Sequence, residues 1–166
     1  MILVTGGAGF IGSNLIAGLE ARGAGAIVVC DHLGDDQKWR NIAKREIADL
    51  ISPDSLGSFV ESEYEKIDSI FHLGAISSTT EFDVDKIIEN NFRMSKDLWI
   101  SCTRYQIPFI YASSAATYGD GSQGFGDNNS RSVLAQLRPL NPYGWSKHLF
   151  DRWVVSQSDK GKNSNS

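Results

Sequence analysis

The stretch VTGGAGFIG, residues 4–12, follows a short apolar run at residues 2–4 and opens onto a helical pattern in which Ile11, Leu15 and Leu19 recur every fourth residue. A glycine-rich turn between a strand and a helix is the context that a dinucleotide-binding fingerprint requires. Gly6, Gly9 and Gly12 are spaced GxxGxxG, and Gly7, Gly9 and Gly12 also satisfy GxGxxG. In such a turn the first glycine permits the tight bend. The middle one lets backbone N–H groups approach a pyrophosphate, and the last allows close helix–strand packing. Phosphate charge would then sit at the positive end of the helix. Glycine-rich turns also occur for purely structural reasons, so a second signal matters. Asp31 supplies it: it closes the second apolar run 19 residues after Gly12, where a ribose-reading carboxylate belongs.

Outward from this turn, apolar runs at residues 26–30, 59–60, 67–71 and 107–111 are rich in Val, Ile and Phe and flanked by turn formers. With residues 2–4 they predict five strands, the run at 59–60 being the weakest. A second helical stripe joins Ile88, Phe92, Ser95, Trp99 and Cys102. Strands and helices alternate, and the strands are too apolar to have a wet face. That combination predicts an α/β fold with a doubly wound parallel sheet. Residues 119–138, rich in Gly, Ser, Asn and Asp, are too long for an ordinary connection and read as a functional or a mobile loop. From Gln157 onward nothing is apolar. The expected organisation is a dinucleotide-binding domain over 1–156 and a polar disordered tail over 157–166.

With 166 residues, 41% apolar and 22% charged at a net charge of −4, the chain reads as one ordinary soluble domain. The acidic balance argues against nucleic acid as a partner. No apolar run approaches the ~20 residues of a membrane span, and the first residues lack the pattern of a signal peptide, so a cytoplasmic location is expected. Cys30 and Cys102, with no CxxC between them, read as buried structural thiols and not as metal ligands or a disulfide.

Asp31 favours the free 2′-hydroxyl of NAD, whereas Lys38 and Arg40 just beyond it could neutralise the 2′-phosphate of NADP. The charges alone leave the choice open. His32 reads as a loop residue beside the adenosine. Further along, Tyr143 and Lys147 form YxxxK, which places both on one helix face. A phenol ionises near pH ~10, and a neighbouring ammonium and an oxidised nicotinamide both favour phenolate, so Tyr143 can take or return a proton. Asn141 suits an N-cap and Pro142 a first helical turn, and Leu149, Phe150, Trp153 and Val154 supply the buried face. The segment YASSAATYG, residues 111–119, follows the fifth strand at the sheet end where such folds place their sites. Ser114 is the hydroxyl there that would bond a substrate oxygen.

TGGAGFIG, SSAATYG and YGWSK together resemble the extended short-chain dehydrogenases/reductases, the group of NAD(P)-dependent nucleotide-sugar epimerases and dehydratases. FHLGAISSTTE, NNFRMSKDLW and RPLNPYGWSKHLFDRWV are similar to the branch that acts on ADP-heptose. The resemblance implies an isomerase that transiently oxidises C6 of the sugar and re-reduces it on the other face, with NADP as cofactor and NAD as the alternative. It places Phe10 and Ile11 on the pyrophosphate and Asp31, His32 and Lys38 on the adenosine ribose. Leu73, Gly74, Ala75, Ile76 and Ser77 would run along the cofactor, and Asn90, in preference to Asn91, near the nicotinamide. Tyr143 would be the acid/base, Lys147 its partner and a holder of the nicotinamide ribose, and Ser114 the substrate-orienting hydroxyl. Leu73 departs from a frequent Glu of the family and Pro53 from a frequent Lys. The resemblance runs from Met1 to about Val155, whereas family members continue into a sugar-binding half, so a truncated enzyme is expected. The alternatives are an NAD(P)-binding fragment without turnover and another nucleotide-sugar epimerase or dehydratase. A sheet ending at the fifth strand would expose an edge and favour a homo-oligomer.

Overall fold

Every residue of β1 (Ile2–Thr5) and β2 (Ile27–Cys30) is buried, as strands covered on both faces must be. The computed structural model describes residues 1–35 and 37–163, with side chains as far as Ser158. β1 and β2 join β3 (Asp49–Ile51), β4 (Ser69–His72) and β5 (Phe109–Tyr111) in a parallel sheet of order β3-β2-β1-β4-β5. Ile2 lies opposite Ile27 on one side and Ser69 on the other. This is the doubly wound α/β class. Its strand order reverses between β1 and β4, which opens a crevice beyond Thr5 and His72.

The chain divides into two compact units, one comprising residues 1–75 and 97–112 and the other residues 76–96 and 113–166. The first holds the sheet. Its core packs Ile16 of α1 (Phe10–Ala21) with Ile2, Val4, Ala8, Ile27, Val29 and Ile42, flanked by Leu15 and Leu19. Ile11, expected on the same stripe, is instead 67% exposed, because it sits on the first turn, beyond the end of the sheet. The third strand also differs from expectation. Residues 59–60 belong to α2 (Leu56–Glu63), where Leu56 and Val60 are buried one turn apart, and the strand is the half-exposed Asp49–Ile51. A two-residue apolar pair cannot distinguish a strand from one turn of an amphipathic helix, and a short edge strand has little apolar pattern to read. Cys30 and Cys102 are both free and buried, and burial pushes their thiols up to about 12 and about 11.

In the second unit, α3 (Val84–Ile87) runs through a π-helical turn, Ile88–Arg93, into α4 (Met94–Tyr105), whose later residues belong to the first unit. The buried line along this helix is Ile87, Asn91, Ser95, Leu98 and Cys102, not the expected Ile88, Phe92 and Trp99. Ser95 and Cys102 of the expected stripe lie on that line; Asn91 is polar, and a hydrophobic pattern does not count it. The loop over residues 119–138 contains α5 (Arg131–Leu134) and closes on itself. Gly119, at φ 68°, lies so near the Arg138 carbonyl that a Cβ there would collide with it. Tyr118 donates to Asp127 at 2.6 Å and meets Phe125 edge to face. α6 (Pro142–Asn163) continues through most of the stretch expected as a disordered tail, since nothing there stops a helix that is already nucleated; residues 164–166 lie outside the described residues. Among the described residues no helix is long and apolar enough to cross a membrane.

Candidate active site

The glycine turn is built by close backbone approach. Gly6, at φ 67°, packs so tightly on Gly74 that an added Cβ would come within 2.7 Å of its nitrogen. At Gly12 a Cβ would strike the Gly6 carbonyl and lie 2.7 Å from the Gly7 Cα. Gly9 is less constrained, with its nearest obstacle at 3.2 Å, and serves as the N-cap of α1 without any side-chain cap. The helix therefore presents its positive end bare, with Phe10 83% exposed beside it. This bare terminus beside a sheet crevice fits the pyrophosphate of a dinucleotide.

Asp31 braces the turn. One carboxylate oxygen accepts from the Ala8 N–H at 2.8 Å and the other from the Lys38 ammonium at 2.9 Å. The Asn41 amide donates to the Ala8 carbonyl at 2.8 Å, a contact the sequence did not advertise. His32 is exposed. At the end of β1, the Thr5 hydroxyl accepts from the Gly74 N–H at 3.1 Å and shares a 2.6 Å hydrogen bond with buried His72. Leu73 donates its N–H to the Thr5 carbonyl, so Leu73, Gly74 and Ala75 leave β4 directly beside the glycine turn. The first unit thus brings together Gly6, Gly9, Gly12, Asp31, Lys38, Leu73 and Gly74.

The second unit contains Ile76, Ser77, Asn90, Asn91, Ser114, Tyr143 and Lys147. The Asn141 side chain accepts from the Gly144 N–H at 2.8 Å, so α6 is capped where the motif begins. A Cβ on Gly144 would sit 2.6 Å from the Ala116 carbonyl; only glycine lets α6 close on the 3₁₀ turn Ala115–Tyr118. Ser114 caps that turn, its hydroxyl accepting from Ala116 N–H at 3.1 Å. Its turn therefore lies against the residue that follows Tyr143. Ser146, fully buried, donates to the Tyr143 carbonyl at 2.7 Å and accepts from Asn91 at 3.0 Å. Asn91 also binds both the N–H and the carbonyl of Ile76, at 2.8 and 3.0 Å. Asn90, preferred on sequence, turns back to the Lys86 carbonyl of its own helix. The π-helical turn carries this pair, and such turns concentrate at functional sites. Ser77 is exposed.

Lys147 is 2% exposed. Burial pushes its ammonium down to about 8, against the opposing pull of Asp151. Burial raises the Asp151 carboxyl in turn, while the Ser113 hydroxyl, donating at 2.6 Å, and Lys147 hold it down. The next residue on α6, His148, is pushed down by burial and by Arg152 and Arg138. The sequence offers Asn91 only as the second choice to Asn90, and Ser146 and Asp151 carry no signal there beyond being polar residues within an apolar helix.

The NAD dependent epimerase/dehydratase family model matches residues 2–165, and the chain belongs to that family. Among relatives, a Fusobacterium nucleatum protein named ADP-L-glycero-D-manno-heptose-6-epimerase is 44% identical over 164 residues, 98% of this chain and 49% of the relative. A protein of the same name from Nitratidesulfovibrio vulgaris is 45% identical over 160 residues, 95% of this chain and again 49% of the relative. The chain therefore spans about half the length of the curated relatives it matches. Among solved structures, the Helicobacter pylori ADP-L-glycero-D-manno-heptose-6-epimerase superposes with a TM-score of 0.77 at 28% identity, over 94% of this chain and 50% of that one. The UDP-glucuronic acid 4-epimerase of Bacillus cereus, solved with UDP-glucuronic acid and NAD, gives 0.73 at 30% identity over 92% and 50%.

Proposed function

We propose that these residues supply the cofactor binding and the acid/base chemistry of an ADP-heptose 6-epimerase, which inverts C6 of the sugar on the way to lipopolysaccharide. The observation that carries the reading is the 44–45% identity, over nearly the whole chain, to proteins of that name. A bound nicotinamide dinucleotide supplies the redox chemistry at C6. The chain's own groups bind the cofactor and move the proton. The Gly6–Gly12 turn and the bare end of α1 bind the pyrophosphate, and Asp31 with Lys38 holds the adenosine ribose. Tyr143 takes the proton of the C6 hydroxyl and returns it, with Lys147 one turn further along the same helix face. Ser114 donates to the same substrate oxygen. The ammonium of Lys38 beside Asp31 supports NADP over NAD, since it offers a 2′-phosphate a cation that Asp31 alone would not.

The test is incubation with NADP and ADP-D-glycero-D-manno-heptose, with C6 configuration read by NMR. Inversion is expected. Dinucleotide binding without inversion would reduce the reading to a binding module, and inversion of a UDP-hexose in preference would transfer it to another branch of the family.

A further inference from the structure

Tyr143, Lys147 and Asp151 stand at successive turns of one face of α6. Asp151 is not part of the YxxxK reading, yet it has the contacts of a residue that serves the pair. Its carboxylate accepts from Ser113 at 2.6 Å, and Ser113 immediately precedes Ser114. The backbone at Ser114 is extended, φ −150° and ψ 144°, so neighbouring side chains point to opposite sides. Fixing Ser113 therefore fixes the direction in which Ser114 leaves the chain.

Resting on the function proposed above, we propose that Asp151 is a positioning residue: anchored by Ser113, its carboxylate steadies the Lys147 ammonium and sets the Ser113–Ser114 segment. The electrostatics agree, because burial disfavours the Lys147 charge and Asp151 is the group that opposes it. Other charged groups on the elements packed against α6 are engaged elsewhere or exposed. Glu89 pairs with Arg93 and Lys86 with Glu81, and Asp85 is exposed. Lys96 lies over the Trp153 ring, Arg131 donates to the Ser156 carbonyl, and the Tyr118 hydroxyl is bound to Asp127 while feeling the Asp151 charge. On α6 itself His148 faces Arg152 and Arg138.

The test is the ionisation of Lys147 in the unliganded chain, followed by NMR of its side chain in wild type, Asp151→Asn, Asp151→Glu and Ser113→Ala. Asp151→Asn keeps the shape and an acceptor for Ser113 but removes the charge. Its Lys147 midpoint is expected to fall by about one pH unit, a roughly tenfold loss of protonation at a given pH. Asp151→Glu is expected to restore most of the shift. Ser113→Ala, which keeps the charge, is expected to move the midpoint by less than Asp151→Asn and to raise KM if turnover is present, through Ser114. An unchanged midpoint in Asp151→Asn would overturn the proposal, as would a Ser113→Ala shift as large as that of the charge removal. These readouts need neither cofactor nor substrate, so a chain that fails to epimerise still decides them. If Asp151→Asn does not fold, Asp151→Ser, which also removes the charge, reads the same midpoint, and an unchanged value there overturns the proposal.

Discussion

The glycine turn of the first unit and the start of α6 in the second are both tightly built, but by different means. Around Gly6 and Gly12 the constraint is backbone against backbone: carbonyl and Cα atoms occupy the space a side chain would need. Around Tyr143 and Lys147 it is a set of buried polar groups. Asn91 ties Ile76 to Ser146, Ser146 ties back to the Tyr143 carbonyl, and Lys147 is held nearly out of water. The first kind of site tolerates no added atom. The second has one such point, Gly144 against the Ala116 carbonyl, and is otherwise costly in free energy, because burying an ammonium opposes folding.

The comparison is sharpened most by Tyr143→Phe. Removing one hydroxyl from the second unit is expected to lower turnover by roughly 10²–10⁴-fold while leaving dinucleotide affinity and thermal stability nearly unchanged. Steady-state kinetics beside calorimetry and a melting curve would show it. A parallel loss of fold would mean that Tyr143 is structural.

Gly12→Ala probes the other side. Alanine improves helix propensity by about 1 kcal/mol, but a Cβ meeting rigid backbone outweighs this, for a net cost of about 3 kcal/mol and loss of dinucleotide binding. Urea denaturation measures it. A neutral or stabilising result would show that the turn can open.

Lys147→Met is expected to do the opposite, stabilising the chain at neutral pH by about 2–3 kcal/mol while abolishing turnover. The pH dependence follows from the ammonium being pushed down from 10.5 to about 8. Below about 8 the lysine is charged in both folded and unfolded chains, and the burial cost is present in full. Between 8 and 10.5 the folded chain has already lost its proton while the unfolded chain keeps it, so wild-type stability rises with pH and the gap to the variant closes. Melting curves at pH 7 and pH 10 compare the two directly. A gap that does not narrow would contradict the burial argument.

The smallest expected effect is Asn141→Ala, which removes the α6 cap at a cost of about 1 kcal/mol. Its melting temperature should fall slightly. No change would mean that the Gly144 N–H finds another partner.

The same contrast decides what could be read from the sequence. The positions of the glycine turn and of Asp31 were legible because they depend on spacing along a strand–turn–helix, and the Asn141–Pro142 start of α6 because capping is local. The fold class followed from the apolar strands. The third strand did not, since Asp49–Ile51 is short, lies at the edge and is half exposed, while Phe59 and Val60 imitated a strand from within α2. That Asn91 is the buried one of the pair was not legible, because one residue of helical phase decides it and a π-helical turn is invisible in a pattern of apolar residues. Thr5, His72, Asn41 and Asp151 act through partners distant in the chain, and a linear reading has no access to those pairings.

The central claim, that the first unit is a dinucleotide cradle reading the ribose with Asp31 and Lys38, is tested most directly by calorimetric titration of NADP and NAD into the wild-type chain and Lys38→Ala. The account predicts one dinucleotide per chain, tighter for NADP, with the preference lost in Lys38→Ala and NAD affinity retained. Absence of binding by either dinucleotide in the folded wild-type chain would contradict it.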